Sequence, residues 1–304
     1  MSIVIPAYQA EDFLADAIES ALHQTYPDIE VIVVIDGATD ASATIARSYG
    51  PRVRVIEQAN SGVPAARNRG TAAARGELVL FLDADDRLPP LLLASRLARL
   101  AEHPVAGAAQ GEIREMDVDG TLLGRVPRAH RRRLVNRPTY VLTHGLPIGG
   151  SLLRRSALDE VGGFDETLDS CEDMEFYLRF LHAHSVVIDR RHPMEQRLHP
   201  GSSTTRFEVT LDYHDLVLSV FNRRHPSPWV RVAGHWSRVR TLRFLVRKSM
   251  YAREPLGALR QLLALVVRKP RLVPHALALV LTGPGWAVGS GWRWWRRRWG
   301  QGCG

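Results

Sequence analysis

The chain has 304 residues, the apolar and charged fractions of an ordinary globular protein, and a formal net charge of +8. That length can bury a sizeable core, as one large domain or a domain with an appendage. Two cysteines far apart, Cys171 and Cys303, exclude a disulfide framework and fit a reducing compartment.

The first strand is expected at Ser2-Ile3-Val4-Ile5, stopped by Pro6. No basic, then apolar, leader precedes it, so a secretory signal is not expected. Apolar residues recur at Phe13, Leu14, Ala17, Ile18, Ala21 and Leu22, the spacing of a helix with one buried face, which Pro27 breaks. Residues 29–35 predict a second strand ending at Asp36-Gly37, and Asp40 is placed to cap a helix reaching about Tyr49. A third strand over 53–56 leads through Asn60-Ser61-Gly62 to a small-residue helix at 64–74. The fourth strand, 78–82, is an unbroken apolar run that ends in Asp83-Ala84-Asp85-Asp86. Such a run reads as a buried strand delivering carboxylates to its carboxyl end, where open α/β sheets bind ligands. Clustered carboxylates repel one another unless a cation is shared, so the triplet is either a divalent metal site or the cap of the following helix, 91–101.

Strands alternating with helices at this spacing predict a mostly parallel sheet with right-handed crossovers. Pro6 to Tyr8, Asp36 and Asp83 to Asp86 then share one sheet edge. Residues 105–150 hold shorter strand-like pieces, the basic patch Arg128 to Arg133 and the turn-rich loop Gly145 to Gly150. The patch reads most simply as a solvated surface, with an anion-binding lid as the sharper alternative. Ser156 is expected to cap a short helix ending near Gly162-Gly163. Phe164-Asp165-Glu166 and Cys171-Glu172-Asp173 follow, then a helix over 174–181, a strand over 186–188, and a loop holding Arg197 and His199-Pro200-Gly201-Ser202.

From Trp229 onward fifteen Arg or Lys stand against a single acid, Glu254, so the preceding body is net acidic. The chain closes on Trp292-Arg293-Trp294-Trp295-Arg296-Arg297-Arg298-Trp299. Tryptophan with arginine suits a membrane interface; a helical subdomain with a disordered end is the plainer alternative. The apolar run 272–288 is short and broken by prolines and glycines, so a span is not expected. No recognition module accompanies the Arg and Trp, which argues against nucleic-acid binding.

In order along the chain stand Ser2-Ile3-Val4-Ile5-Pro6-Ala7-Tyr8, Asp36-Gly37, Ala66-Arg67-Asn68, Asp83-Ala84-Asp85-Asp86, Gly162-Gly163-Phe164-Asp165-Glu166, Glu172-Asp173 and His199-Pro200-Gly201-Ser202. In this order they resemble the motifs of family 2 glycosyltransferases, over roughly the first two thirds of the chain. The resemblance implies an inverting enzyme of the GT-A (Rossmann-like) α/β fold, a nucleotide-diphosphate sugar donor such as a UDP-sugar, Mg²⁺ or Mn²⁺, and a glycan or lipid-linked acceptor hydroxyl. It implies a catalytic domain at 1–228, with a nucleotide-sugar half to about 104 and an acceptor half after it. Residues 229–304 would form a basic, mainly helical appendage, placing the protein in the cytoplasm, at the inner face of the membrane if the tail docks there.

Roles carry over to matching positions. Pro6, Ala7 and Tyr8 would line the nucleoside pocket and Asp36 would accept a hydrogen bond from the base. Asp83 and Asp85 form an Asp-x-Asp motif, Asp85 being the principal metal ligand. Asp173 matches the general base, with helix capping as its plainer role and Glu172 as its nearest rival. His199 matches a further metal or diphosphate contact. Arg67 is either a phosphate contact or a solvent-facing helix residue. Ile35 stands where the family usually has a first Asp before Asp36-Gly37. Cys171 beside the base has no partner histidine in local spacing, and inverting transfer needs no covalent intermediate. A non-catalytic nucleotide-sugar-binding or scaffold protein is the alternative reading. A nucleotidyltransferase would need a Gly-rich phosphate loop after the first strand, where Pro6-Ala7-Tyr8-Gln9 stands instead.

Overall fold

The computed structural model describes residues 1–123, 134–199 and 207–224, with a few positions between 233 and 242. The basic patch at 128–133, the 200–203 part of the His199 loop and nearly all of the basic tail lie outside the described residues.

Residues Met1–Arg197 form one compact unit. Its eight-stranded sheet has the spatial order β3 (Val53–Gln58), β2 (Glu30–Asp36), β1 (Ser2–Ala7), β4 (Leu78–Phe81), β7 (Leu152–Arg154), β5 (Ala106–Met116), β8 (Ser185–Arg197) and β6 (Leu134–Val135). The strands β1, β2, β3 and β4 run parallel. β1 and β2 are buried on both faces almost throughout, which explains why they read as continuous apolar runs rather than alternating ones. On one face, Ile3, Ile5, Val31 and Val33 pack with Leu14, Ala17 and Ile18 of α1 (Leu14–Leu22). Against the other lies α3 (Gly62–Ala73), whose Gly70 admits close approach: a Cβ there would stand 2.2 Å from Val4 Cγ1.

Beyond β4 the direction changes. β7 runs antiparallel to both β4 and β5, β5 pairs in parallel with β8, and β6 closes the edge antiparallel to β8. The sheet is therefore mixed, parallel in its first half, with helices on its faces as the α/β reading expects.

Three local expectations differ. Pro6 does not stop β1, which continues through Ala7 paired with Ile35; pairing with β4 has ended at Val4, so the missing N–H interrupts no shared ladder there. The short strand at 186–188 is the core of a 13-residue strand, and β5 has 11 residues. Their Gly, Ala, Arg and Pro content hides them, and their register slips between Gly111 and Ile113, opposite Asp189 and Met194. Past the short helix α5 (Thr139–His144), Ser156 is not a cap but lies inside α6 (Arg155–Val161), which starts from an extended Arg154. Asp40 does reach α2 (Ser42–Ser48), accepting from the Ser42 N–H at 3.1 Å, and it also accepts from the Glu11 N–H at 3.0 Å.

A buried ion pair ties α4 (Leu92–Glu102) to the bend in β8. Arg96 Nη1 stands 2.9 Å from Asp189, both side chains shielded from solvent. Gly111 is required beside it, since a Cβ would come 1.8 Å from Arg96 Nη2.

The second unit begins at Leu198. After Leu198 and His199, its described part is α8 (Phe207–Arg224) with short pieces after it, where buried His214 bonds Ser237 at 2.9 Å and Arg238 donates to Asp215 at 2.7 Å. No helix among the described residues is long and apolar enough to cross a membrane.

Candidate active site

Parallel pairing puts the carboxyl ends of β1, β2 and β4 at one edge. Ala7 is buried at the end of β1 and Tyr8 is about half exposed beyond it. Gln9, at φ +48°, turns back so that its Oε1 accepts from the Thr39 N–H at 2.8 Å. Two connections along this edge are thereby pinned together.

Asp36 ends β2 and is 3% exposed. Its Oδ1 accepts from Gln58 Nε2 and the Ser61 N–H, both at 2.8 Å, and its Oδ2 from the Gly62 N–H at 2.9 Å. The carboxylate thus anchors the entry to α3, a role not anticipated from sequence. The negative charge at that helix N-terminus is also favoured by the helix dipole.

Asp83 follows β4, and the turn closes with the Asp86 N–H donating to the Asp83 carbonyl at 3.0 Å. The loop before β7 crosses beside it, with the Gly150 N–H bonded to the Phe81 carbonyl at 2.9 Å. A Cβ on Gly149 would stand 3.8 Å from Asp83 Oδ2, an ordinary contact, and 2.9 Å from Met194 Cε, the end of a flexible side chain, so the loop passes close beside Asp83.

Arg67 is not solvent-facing. It is 3% exposed, with Nη2 2.7 Å from Asp83 Oδ1 and Nη1 2.7 Å from Glu172 Oε1. Its guanidinium carbon lies 5.5 Å from the Phe164 ring centre. Burial pulls its pKa down, but the facing Asp83 and Glu172 charges raise it above its ordinary value, so the cation is held charged. The adjacent Asn68 donates to the Phe164 carbonyl at 2.9 Å and to Glu166 at 2.8 Å, and accepts from the Phe164 N–H at 2.9 Å. Ala66-Arg67-Asn68 and Gly162-Gly163-Phe164-Asp165-Glu166 are therefore two halves of one contact.

The helix α7 (Glu172–Ala183) starts after Cys171, which has φ +63°. Its first turn holds Glu172, Asp173 and Glu175, placing acids where the helix dipole favours them. Asp173 is half-buried and accepts from the Met174 N–H at 2.6 Å. Phe176 stacks on Phe164 at 4.8 Å, and Phe164 meets Phe81 edge-on at 5.2 Å, so an aromatic chain fixes α7 against the end of β4. Tyr177 donates to Ser151 at 2.8 Å. Burial pushes its phenol up, and the nearby Asp173 charge pushes the same way against the Ser151 hydrogen bond.

The structure thus brings Asp83, Arg67 and Glu172 into direct contact, and Asp173 enters beside Glu172 on the same helical turn. His199 belongs to the second unit. Among the described residues no group of three or more His, Cys, Asp or Glu converges as a preformed metal cage. Sequence reasoning passed over Arg197, which ends β8 fully buried against Asp85 and Asp86; its position two residues before His199 was the one available signal.

A sequence profile described as Glycosyl transferase family 2 matches residues 2–162. An uncharacterized glycosyltransferase of Rickettsia typhi is 29% identical over 228 residues, covering 74% of this chain and 72% of its own. Chondroitin synthase of Pasteurella multocida is 28% identical over 202 residues, 62% of this chain and 20% of that enzyme. The crystal structure of S. aureus TarS 1-349 in complex with UDP superposes with a TM-score of 0.56 at 24% identity, covering 83% of this chain and 72% of that one; this likeness is one of fold. Because the profile spans more than half of the chain, and relatives matched over 72–75% of their own length carry the same activity name, the chain belongs to glycosyl transferase family 2 and is a glycosyltransferase.

Proposed function

We infer that the enzyme is a metal-dependent inverting transferase that moves a sugar from a nucleotide-diphosphate donor to a hydroxyl of a glycan or lipid-linked acceptor. The observation that carries this reading is the bridge Asp83–Arg67–Glu172, which joins the acidic turn after β4 to the helix that presents Asp173. Donor-side and acceptor-side groups are thereby held on one rigid support. The solved complexes of TarS with UDP and with UDP-GlcNAc favour a uridine nucleotide as the donor carrier.

In this reading Pro6, Ala7 and Tyr8 border the nucleoside, and Asp36 shapes that border by anchoring the Ser61-Gly62 turn. Mg²⁺ or Mn²⁺ would be held by Asp85, with Asp83 beside it. Carboxylate oxygens are the hard donors that such a divalent cation would take. When bound, such an ion neutralises charge growing on the departing diphosphate. Asp173 accepts the acceptor hydroxyl proton while the new C–O bond forms at the anomeric carbon and the bond to phosphate breaks on its opposite face. General base catalysis of this kind contributes about 10²- to 10⁴-fold. His199 is assigned a further metal or diphosphate contact, and the Trp/Arg tail a peripheral contact with the membrane carrying a lipid-linked acceptor.

The test is calorimetric titration of UDP with and without Mn²⁺. Wild-type protein is expected to bind UDP more tightly with the metal, and Asp85→Ala to lose that gain. A gain kept in full by Asp85→Ala removes Asp85 from metal binding.

A further inference from the structure

The acidic turn is held from behind by a residue that no functional reading assigns. Arg197 ends β8 and is 2% exposed. Its main-chain N–H donates to Asp86 Oδ1 at 2.9 Å, and its Nε donates to the main-chain carbonyl of Asp85 at 3.0 Å. Nη1 donates to the Val118 carbonyl at 2.7 Å and Nη2 to Asp16 Oδ2 at 2.8 Å, while the guanidinium stacks 4.7 Å over Phe13. All three guanidinium nitrogens are engaged, so this arginine serves the protein framework rather than a ligand.

One step earlier, Arg87 and Glu195 exchange both main-chain hydrogen bonds, at 2.9 and 3.0 Å, and their side chains pair at 3.1 Å. Residues 85–87 are thereby laid along the far end of β8 as an extra antiparallel rung, and Asp16 on α1 steadies the arginine from the opposite side. The peptide that carries the Asp85 side chain is fixed by these bonds before any donor arrives.

We propose that Arg197 is a positioning residue for Asp85, acting through the bond from its guanidinium to the Asp85 carbonyl, with Asp16 as its outer anchor. The inference rests on the assignment of Asp85 to the metal only for its functional consequence, not for its structural one. Groups that support a metal ligand from behind commonly change metal affinity by about 10- to 100-fold when removed.

The experiment uses the full chain carrying Arg197→Lys, and separately Asp16→Asn. The Asp16 side chain is 55% exposed, so that variant keeps the test open if the buried substitution prevents folding. Hydrogen exchange is expected to rise about tenfold in residues 83–87 for Arg197→Lys and roughly threefold for Asp16→Asn, with β1 and β4 unchanged. The Mn²⁺ midpoint for UDP binding should move to higher metal in the same order, while metal-free UDP binding stays as in wild type. Unchanged exchange at 83–87 in the folded variants, or an increase spread equally through β1 and β4, overturns the positioning role. If instead Asp85→Ala keeps the Mn²⁺ effect, the metal assignment fails, and the exchange result still decides the role of Arg197.

Discussion

The Arg67 guanidinium meets the Glu172 carboxylate at 2.7 Å across a separation of 105 positions, and with its other amino group meets Asp83 at the same distance. Substituting Arg67→Met leaves two acids facing each other with the cation gone. Breaking a buried pair costs about 3 to 5 kcal/mol, and the cost here is expected toward the low end because Asp83 is 36% exposed. Displacement of the acidic turn should lower turnover on the order of 10²-fold. Arg67→Lys keeps the charge but not the fork and should fall between. Thermal unfolding and steady-state transfer measure both; wild-type turnover in Arg67→Met would sink the bridging role.

Asp173→Asn retains the volume and the helix-start position but cannot take a proton. Transfer is expected to drop about 10²- to 10⁴-fold, with UDP affinity within a factor of about two of wild type, a change of less than half a kcal/mol. Loss of UDP binding in parallel with transfer would instead mark Asp173 as part of the donor site.

Gly163 has φ +70°, and a Cβ there would stand 2.7 Å from Asn68 Oδ1. Gly163→Ala should destabilise by about 1 to 3 kcal/mol from the left-handed backbone and the clash together. Adding Asn68→Ala removes the clash but not the strain, so the double variant should be more stable than the sum of the two single effects predicts. Simple additivity in urea unfolding would show that the two residues do not press on each other.

Asp189 offers a pH test. Burial alone would raise its pKa, but the Ser95 hydrogen bond, Arg96 and Arg191 bring it below its ordinary value of 3.8. A carboxyl whose folded pKa is depressed contributes stability above its unfolded pKa and loses it as pH falls through the folded one. Asp189→Asn should therefore cost about 3 to 5 kcal/mol near pH 7, and the gap to wild type should begin to narrow below pH 3.8. A gap that is the same at pH 7 and at pH 3 would contradict the linkage.

The parallel half of the fold was legible because β1, β2 and β4 are buried on both faces, which writes a continuous apolar run into the sequence. The long β5–β8 ladder was not, since Gly, Ala and charged residues fill it and its register slips around Asp189. In the site, the acidic turn and the Glu172-Asp173 helix start could be placed on their elements from local pattern alone. Arg67 and Arg197 could not be read that way, because a helix arginine or strand-end arginine is usually exposed, and only the packing of distant segments reveals which carboxylates surround it.

By itself, the sequence determined which residues of chemical interest exist and which strand ends deliver them, because strand length, apolar continuity and turn chemistry are local. Tertiary structure decided which of them meet. Arg67 joins Asp83 to Glu172, Asn68 receives Gly163-Phe164, and Arg197 supports Asp85 and Asp86 from the end of β8. The reason is physical: a buried charge needs its partner within a few ångströms in space, and spacing along the chain imposes no such limit.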